Sequence, residues 1–122
     1  MGGTRFVGKA LVSKLLSQGH DITLFTRGLN AIPKGVEHCK GDRSNYEDLI
    51  QIEGRNFDVI IDSSGRNAID TERVLDVVGT PSHRFLYVSS AGVYAESQNL
   101  PITENYLIDP NSRHIGKVQT EM

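Results

Sequence analysis

In the stretch "FDVIID", Val59, Ile60 and Ile61 form an unbroken aliphatic run, and this feature most restricts what the chain can fold into. With no polar alternation, the run suits a strand covered on both faces, as in a parallel sheet. "RFLYVSS" reads as another buried strand, Ile22 to Thr26 as a short one before it, and Val36 to Cys39 as a further short strand. Parallel neighbours need crossover connections, and helical patterns stand where those would fall. Phe6, Val7, Ala10, Leu11, Leu15 and Leu16 give one apolar face to a helix over 6–18 that Gly19 ends. Asn45 can cap a brief helix from Tyr46 to about Glu53, and a helix from about Ile69 to Val78 ends at Gly79. Strand and helix alternate, which is the pattern of an α/β fold with a doubly wound parallel sheet. Residues 92–111, with two prolines, read as an irregular loop, and "SRHIGKVQTEM" reads as the start of a helix.

The chain has 122 residues, 38% hydrophobic and 23% charged, which suits one globular domain and leaves no room for a second. A net charge of −2 lacks the basic footprint of a dedicated nucleic-acid-binding domain. No run approaches the length of about 18 apolar residues that a membrane span needs. Cys39 is the only cysteine, so no intrachain disulfide can form and a reducing compartment is expected. His20, His38, His83 and His114 lack the spacing of a metal site, and none is assigned.

The opening "MGGTRFVG" places glycines at the N-terminus of the first helix. Two phosphate-binding patterns compete for it. Gly3 to Ala10 nearly spells the G-x-x-x-x-G-K-[ST] loop, but Ala10 has no hydroxyl for magnesium, and Phe6 and Val7 are bulky for such a loop. The alternative is a Gly-x-x-Gly-x-x-Gly dinucleotide turn, carried by Gly2, Arg5 and Gly8 and including Gly3, Thr4, Phe6 and Val7. Arg5 stands where a middle glycine is expected, either obstructing the pyrophosphate or pairing with it. Downstream, Arg27 follows the second strand where an arginine accommodates the 2′-phosphate of NADP and a carboxylate the 2′-hydroxyl of NAD. Asp42, beside Arg43 in "GDR", lies where such folds place an aspartate near the adenine. Ser89 and Ser90 in "VSSAGVY" offer hydroxyls to a substrate or to a nicotinamide ribose.

In the short-chain dehydrogenases, whose glycine turn the opening resembles, hydride transfer relies on a tyrosine four residues before a lysine, whose ammonium lowers the phenol pKa. No Tyr-x-x-x-Lys occurs in this chain: Lys117 has Arg113 at the tyrosine position. Arginine stays protonated and cannot serve as the acid. Arg113, His114 and Lys117 fall within about one helical turn, where their cationic heads could meet a phosphodiester and His114 could shuttle a proton.

"MGGTRFVG", "LFTRG", "GDR", "VSSAGVY" and above all "DPNSRHIGK" followed by "TE" resemble the chloroplast stem-loop-binding proteins and their cyanobacterial relatives. These are an atypical branch of the extended short-chain dehydrogenases, the NAD-dependent epimerase/dehydratase family. The resemblance implies a Rossmann-like core adapted to bind RNA, with ribonuclease activity reported for the family, and a place in the chloroplast stroma or the cytoplasm. Arg5 and Arg113 fit its pattern.

Three functions follow as expectations: an RNA-binding protein without dehydrogenase activity; an NAD(P)-dependent nucleotide-sugar epimerase or dehydratase using Ser90, Tyr94 and Lys117; and an NADP-sensing regulator without turnover. The catalytic candidates are therefore Ser90, Tyr94, Lys117 and His114, and NADP or NAD is the candidate cofactor, with its presence left open. RNA and a dinucleotide are the expected partners, no membrane is, and a homo-oligomer is one option for a longer chain. A dinucleotide turn normally leaves the carboxyl end of a central strand. Residues 1–122 therefore read as an incomplete NAD(P)-binding domain, with Met1 at the end of a first strand otherwise missing, no C-terminal substrate domain, and a last helix cut at Met122.

Overall fold

The computed structural model describes residues 1–121; Met122, and with it the expected interruption of the last helix, lies outside them. In chain order the elements are α1 (Phe6–Ser17), β1 (Thr23–Thr26), β2 (Glu37–Lys40), α2 (Tyr46–Leu49), β3 (Val59–Asp62), α3 (Ala68–Val78), β4 (Arg84–Tyr87) and α4 (Ile115–Glu121). Single 3₁₀ turns follow α2 at Ile50–Ile52 and precede the long loop at Ala91–Val93. The chain is α/β with parallel strands, as the periodicity implies; most boundaries lie within one or two residues of expectation, but the strand read from "RFLYVSS" ends at Tyr87 and the helix read from "SRHIGKVQTEM" starts only at Ile115. The expected Tyr46–Glu53 helix tightens after Leu49 into its 3₁₀ turn. Within the expected loop, Tyr94 and Ile108 form one isolated antiparallel bridge.

Local chemistry explains the helix ends. The Asn45 side chain accepts the Glu47 N–H at 3.0 Å, and the Asn67 side chain accepts the Asp70 N–H at 3.0 Å, so α2 and α3 begin on side-chain caps. Gly79 ends α3 at φ 86°, a conformation open to glycine.

The strands form two parallel pairs, β1 with β2 and β3 with β4, in register from Thr23 opposite Glu37 and from Val59 opposite Arg84. β1 and β3 are not paired with each other, and Met1 and Gly2 lie between their carboxyl ends. The Met1 amine donates to Ile61 O at 2.9 Å, Ser63 N–H donates to Met1 O at 3.2 Å, and Gly2 N–H donates to Phe25 O at 3.2 Å. Those are the bonds of a parallel ladder on both sides.

On one face of the sheet, Phe25, Cys39, Leu49, Ile52, Ile60, Val74, Val77 and Val78 form a single buried cluster that ties the two pairs together. The opposite face carries α1, of which only Gly8 and Val12 are buried.

Candidate functional site

Both strand pairs run in the same direction, so the loops leaving their carboxyl ends converge on one crevice of about 810 Å³. Its floor is the glycine turn. Gly2 and Gly3 take φ 80° and 106°, and a Cβ on Gly8 would stand 2.8 Å from the Gly3 Cα, so only glycine lets α1 approach its own leading turn. Arg5 sits at φ −137°, extended backbone that any residue adopts, which is why an arginine fits where a glycine is expected. The strain falls on Phe6 instead, at φ 40° with its side chain 85% exposed, a position that sequence patterns do not flag. No side chain caps α1, whose first helical bond runs from Lys9 N–H to Arg5 O. The N–H groups of its first turn therefore have no intrahelical acceptor and suit an anion.

The walls carry most of the expected cofactor residues. Arg27 lies exposed on the rim beyond β1, and Thr4 Oγ1 accepts from Asn30 Nδ2 at 3.3 Å. Asp42 Oδ1 accepts the Ser44 N–H at 2.8 Å, and this bond, with Arg27 and Arg43 nearby, holds its carboxyl below the usual range. Arg43 is more committed than its sequence position suggests. Its Nη1 donates to Asp62 Oδ1 at 2.5 Å and to Ser64 Oγ at 3.1 Å, while its buried Nε and Nη2 have no hydrogen-bond partner.

Asp62 is the residue that sequence reasoning missed. It ends β3 fully buried and accepts Ser64 N–H at 3.0 Å and Gly65 N–H at 2.9 Å besides Arg43. Burial pushes its carboxyl up, but the Arg43 bond and charge, the Ser64 N–H and the Met1 ammonium together outweigh that and hold it below the usual carboxylate range. An acid closing a buried strand at the crevice end was the available signal in "FDVIID".

The candidate catalytic residues divide among three places. Lys117 Nζ enters the crevice, donating to Val88 O at 2.7 Å and Gly65 O at 3.0 Å and lying 4.8 Å from the Tyr87 ring centroid. Ser89, Ser90 and Tyr94 line a neighbouring hollow of about 520 Å³ with Tyr87. There the Ser90 hydroxyl accepts the Gly92 N–H at 3.2 Å, capping a turn. Arg113 and His114 precede α4: Arg113 is exposed and donates through Nε to His114 Nε2 at 3.3 Å. His114 N–H donates to Ser112 Oγ, which in turn donates to Gly92 O. The expected meeting of Arg113, His114 and Lys117 heads is thus not formed, because α4 starts only at Ile115 and Lys117 points toward the end of β4. Among the described residues no group of three His, Cys, Asp or Glu could hold a metal, and no helix is long and apolar enough to cross a membrane.

Known proteins share this architecture. A UDP-galactose 4-epimerase structure superposes with a TM-score of 0.81 at 22% identity over 98% of this chain and 47% of its own. A short-chain dehydrogenase/reductase superfamily protein from Agrobacterium tumefaciens with bound NAD gives 0.77 at 26% identity over 98% of this chain and 41% of its own. In sequence, the chain is 39% identical over 99% of its length to the chloroplast stem-loop binding protein of 41 kDa b of Arabidopsis thaliana. It is 23% identical over 93% of its length to a UDP-glucose 4-epimerase of Corynebacterium glutamicum. The chain spans 36% and 40% of the length of these two relatives. Residues 1–115 match the NAD dependent epimerase/dehydratase family, and with that share of its length inside the match the chain belongs to this family.

Proposed function

We propose that this domain binds phosphate-bearing ligands, RNA first among them, in the crevice and carries out no hydride transfer. The observation that carries the reading is the crevice's own charge. Arg5, Arg27, Arg43, Arg66 and Lys117 line it against Asp42 and Asp70, and even with Arg43 neutralised by its partner Asp62 four cations face two carboxylates, in a chain whose net charge is −2. A local cationic concavity attracts phosphate whatever the overall balance. Loss of redox chemistry rests on Arg113, which keeps its proton, and on Lys117, whose ammonium is occupied by two backbone carbonyls. The 39% identical relative bears the name of a stem-loop binding protein, which makes a structured RNA the ligand to test first.

The test is titration of a labelled RNA stem-loop with the chain at increasing salt. Affinity should fall steeply, because each phosphate neutralised releases counterions. Affinity indifferent to salt would overturn the reading, as would nicotinamide reduction with a nucleotide sugar at the rate of ordinary epimerases. Arg113→Tyr by itself should not create that activity, since the Lys117 ammonium would still be held by Gly65 O and Val88 O.

A second reading has its own observation. Arg27 stands exposed at the rim, directly after β1 and near Asp42, where a 2′-phosphate would reach it. Binding of NADP without turnover is therefore the companion proposal. A buried single thiol, Cys39, suits a reducing compartment such as the cytoplasm or the stroma.

A further inference from the structure

Phe6 is held where an aromatic side chain gains little from the fold. Its φ of 40° lies in the left-handed region that bulky residues avoid, and at 85% exposure no burial offsets that strain. The Arg5 guanidinium stands 5.9 Å from the ring centroid, within reach of a cation–π contact.

The ring's surroundings are more telling than its packing. Phe6 lines the crevice together with Val7 and Leu29, which are also exposed. Asn30 Nδ2, donating to Thr4 Oγ1, ties the loop that carries Leu29 to the turn that carries Phe6. The three apolar side chains thus sit on a concavity that also carries Arg5, Arg27, Arg66 and Lys117. A protein partner favours an apolar centre depleted of charge. An aromatic face among cations instead suits an unpaired nucleic-acid strand, whose backbone the cations follow and whose base stacks on the ring.

We propose, resting on the reading of the crevice as an RNA site, that Phe6 is a stacking platform for an unpaired nucleobase, so that the domain engages the loop of a structured RNA and not its paired stem. Bases within a stem are stacked on their neighbours and offer no free face, whereas loop bases splay out and reach aromatic side chains. The strained backbone then has a use, because it fixes the ring over the crevice before the ligand arrives.

The chain contains no tryptophan, so Phe6→Trp installs a single fluorophore at the platform. The probes are a single-stranded oligoribonucleotide, an abasic oligomer of the same length, a duplex of that length, and NADP. The single strand should quench the tryptophan, and the abasic oligomer and the duplex should not. Phe6→Ala should bind the single strand roughly five- to a hundredfold more weakly, the range that base–aromatic stacking spans, with the abasic oligomer and the salt slope unaffected. If Phe6→Ala fails to fold, quenching in Phe6→Trp still decides. Steep salt dependence without quenching would overturn the platform and leave the phosphate reading standing, whereas binding of no oligomer by the parent chain would overturn both. Equal losses of single-stranded and abasic oligomers, or equal quenching by the duplex, would overturn the platform. So would quenching by NADP and by no oligomer, or a concentration-dependent dimer that blue-shifts the tryptophan, since the ring would then serve a dinucleotide or a second copy.

Discussion

Two ion pairs occupy opposite ends of the strands, and they differ in everything but length. At the amino end, Arg55 Nη2 meets Glu37 Oε2 at 2.6 Å where β2 begins, and the side chains are 36% and 54% exposed. At the carboxyl end, Arg43 Nη1 meets Asp62 Oδ1 at 2.5 Å where β3 stops, and the exposures are 11% and 0%. The Arg55 bond lowers the Glu37 carboxyl, yet water and salt screen an exposed pair. Asp62 is held low against the opposing effect of burial, and it also accepts two backbone N–H groups of the turn that follows. Its Arg43 partner keeps two buried donors unspent. The Arg55 fork is bidentate, with Nη1 donating to Glu37 Oε1 at 2.8 Å, but it is screened by solvent, whereas the Arg43 pair is shielded by burial at the end that faces the crevice.

The largest effect expected is that of Asp62→Ala. Removing one member of a buried pair leaves an uncompensated charge and costs about 3–5 kcal/mol, which urea denaturation would register as a large fall in midpoint. An unchanged midpoint would erase the distinction between the two ends. Acid sharpens it. Because the folded carboxyl titrates below its unfolded value, the contribution of Asp62 is complete above about pH 3.9 and is lost as pH falls through the lower folded value. Asp62→Asn should flatten that acid limb, and salt of about 1 M, where the Debye length is about 3 Å, should barely alter it in the parent chain.

Next in size is Arg27→Ala. Loss of a charge-assisted contact costs about 1.5–3 kcal/mol, so NADP should bind tenfold or more weakly by calorimetry while NAD is spared. Equal losses for both dinucleotides would remove Arg27 from the 2′-phosphate. Smallest is Arg55→Met at the amino end, for which no resolvable change in urea midpoint or in ligand affinity is expected. A fall as large as that of Asp62→Ala would show that exposure does not separate the two pairs.

Elements were legible where a local signal is complete within a few residues. Asn45 caps its helix through a bond two residues long, and Gly79 ends α3 with a backbone angle suited to glycine, whereas the Asn67 cap of α3 was not read. The placement of the candidate cofactor residues other than Ser89 around one crevice was legible for a related reason: each follows a recognisable strand or opens a recognisable helix. Phe6 was not, because its φ of 40° is imposed by the turn around it and not by its own preference. Nor was the pairing of Arg43 with Asp62, which are 19 residues apart and meet only because β2 and β3 end at the same crevice. The dispersal of Arg113, His114 and Lys117 was hidden by the start of α4, since helical spacing brings side chains together only where the helix has already begun.

By itself the sequence determined the α/β alternation, the parallel character of the strands, the glycine turn under α1 and the absence of a tyrosine four residues before Lys117. Those are properties of periodicity and residue identity, which act over one or two turns of chain. Only the tertiary structure decided that Lys117 would spend its ammonium on Gly65 and Val88 carbonyls, that Arg43 would hold Asp62, and that β1 and β3 would stay unpaired with Met1 and Gly2 between their carboxyl ends. These outcomes depend on which distant groups share a small, water-poor volume. No local pattern encodes that, because burial and hydrogen-bond satisfaction are settled by the whole packed sheet at once.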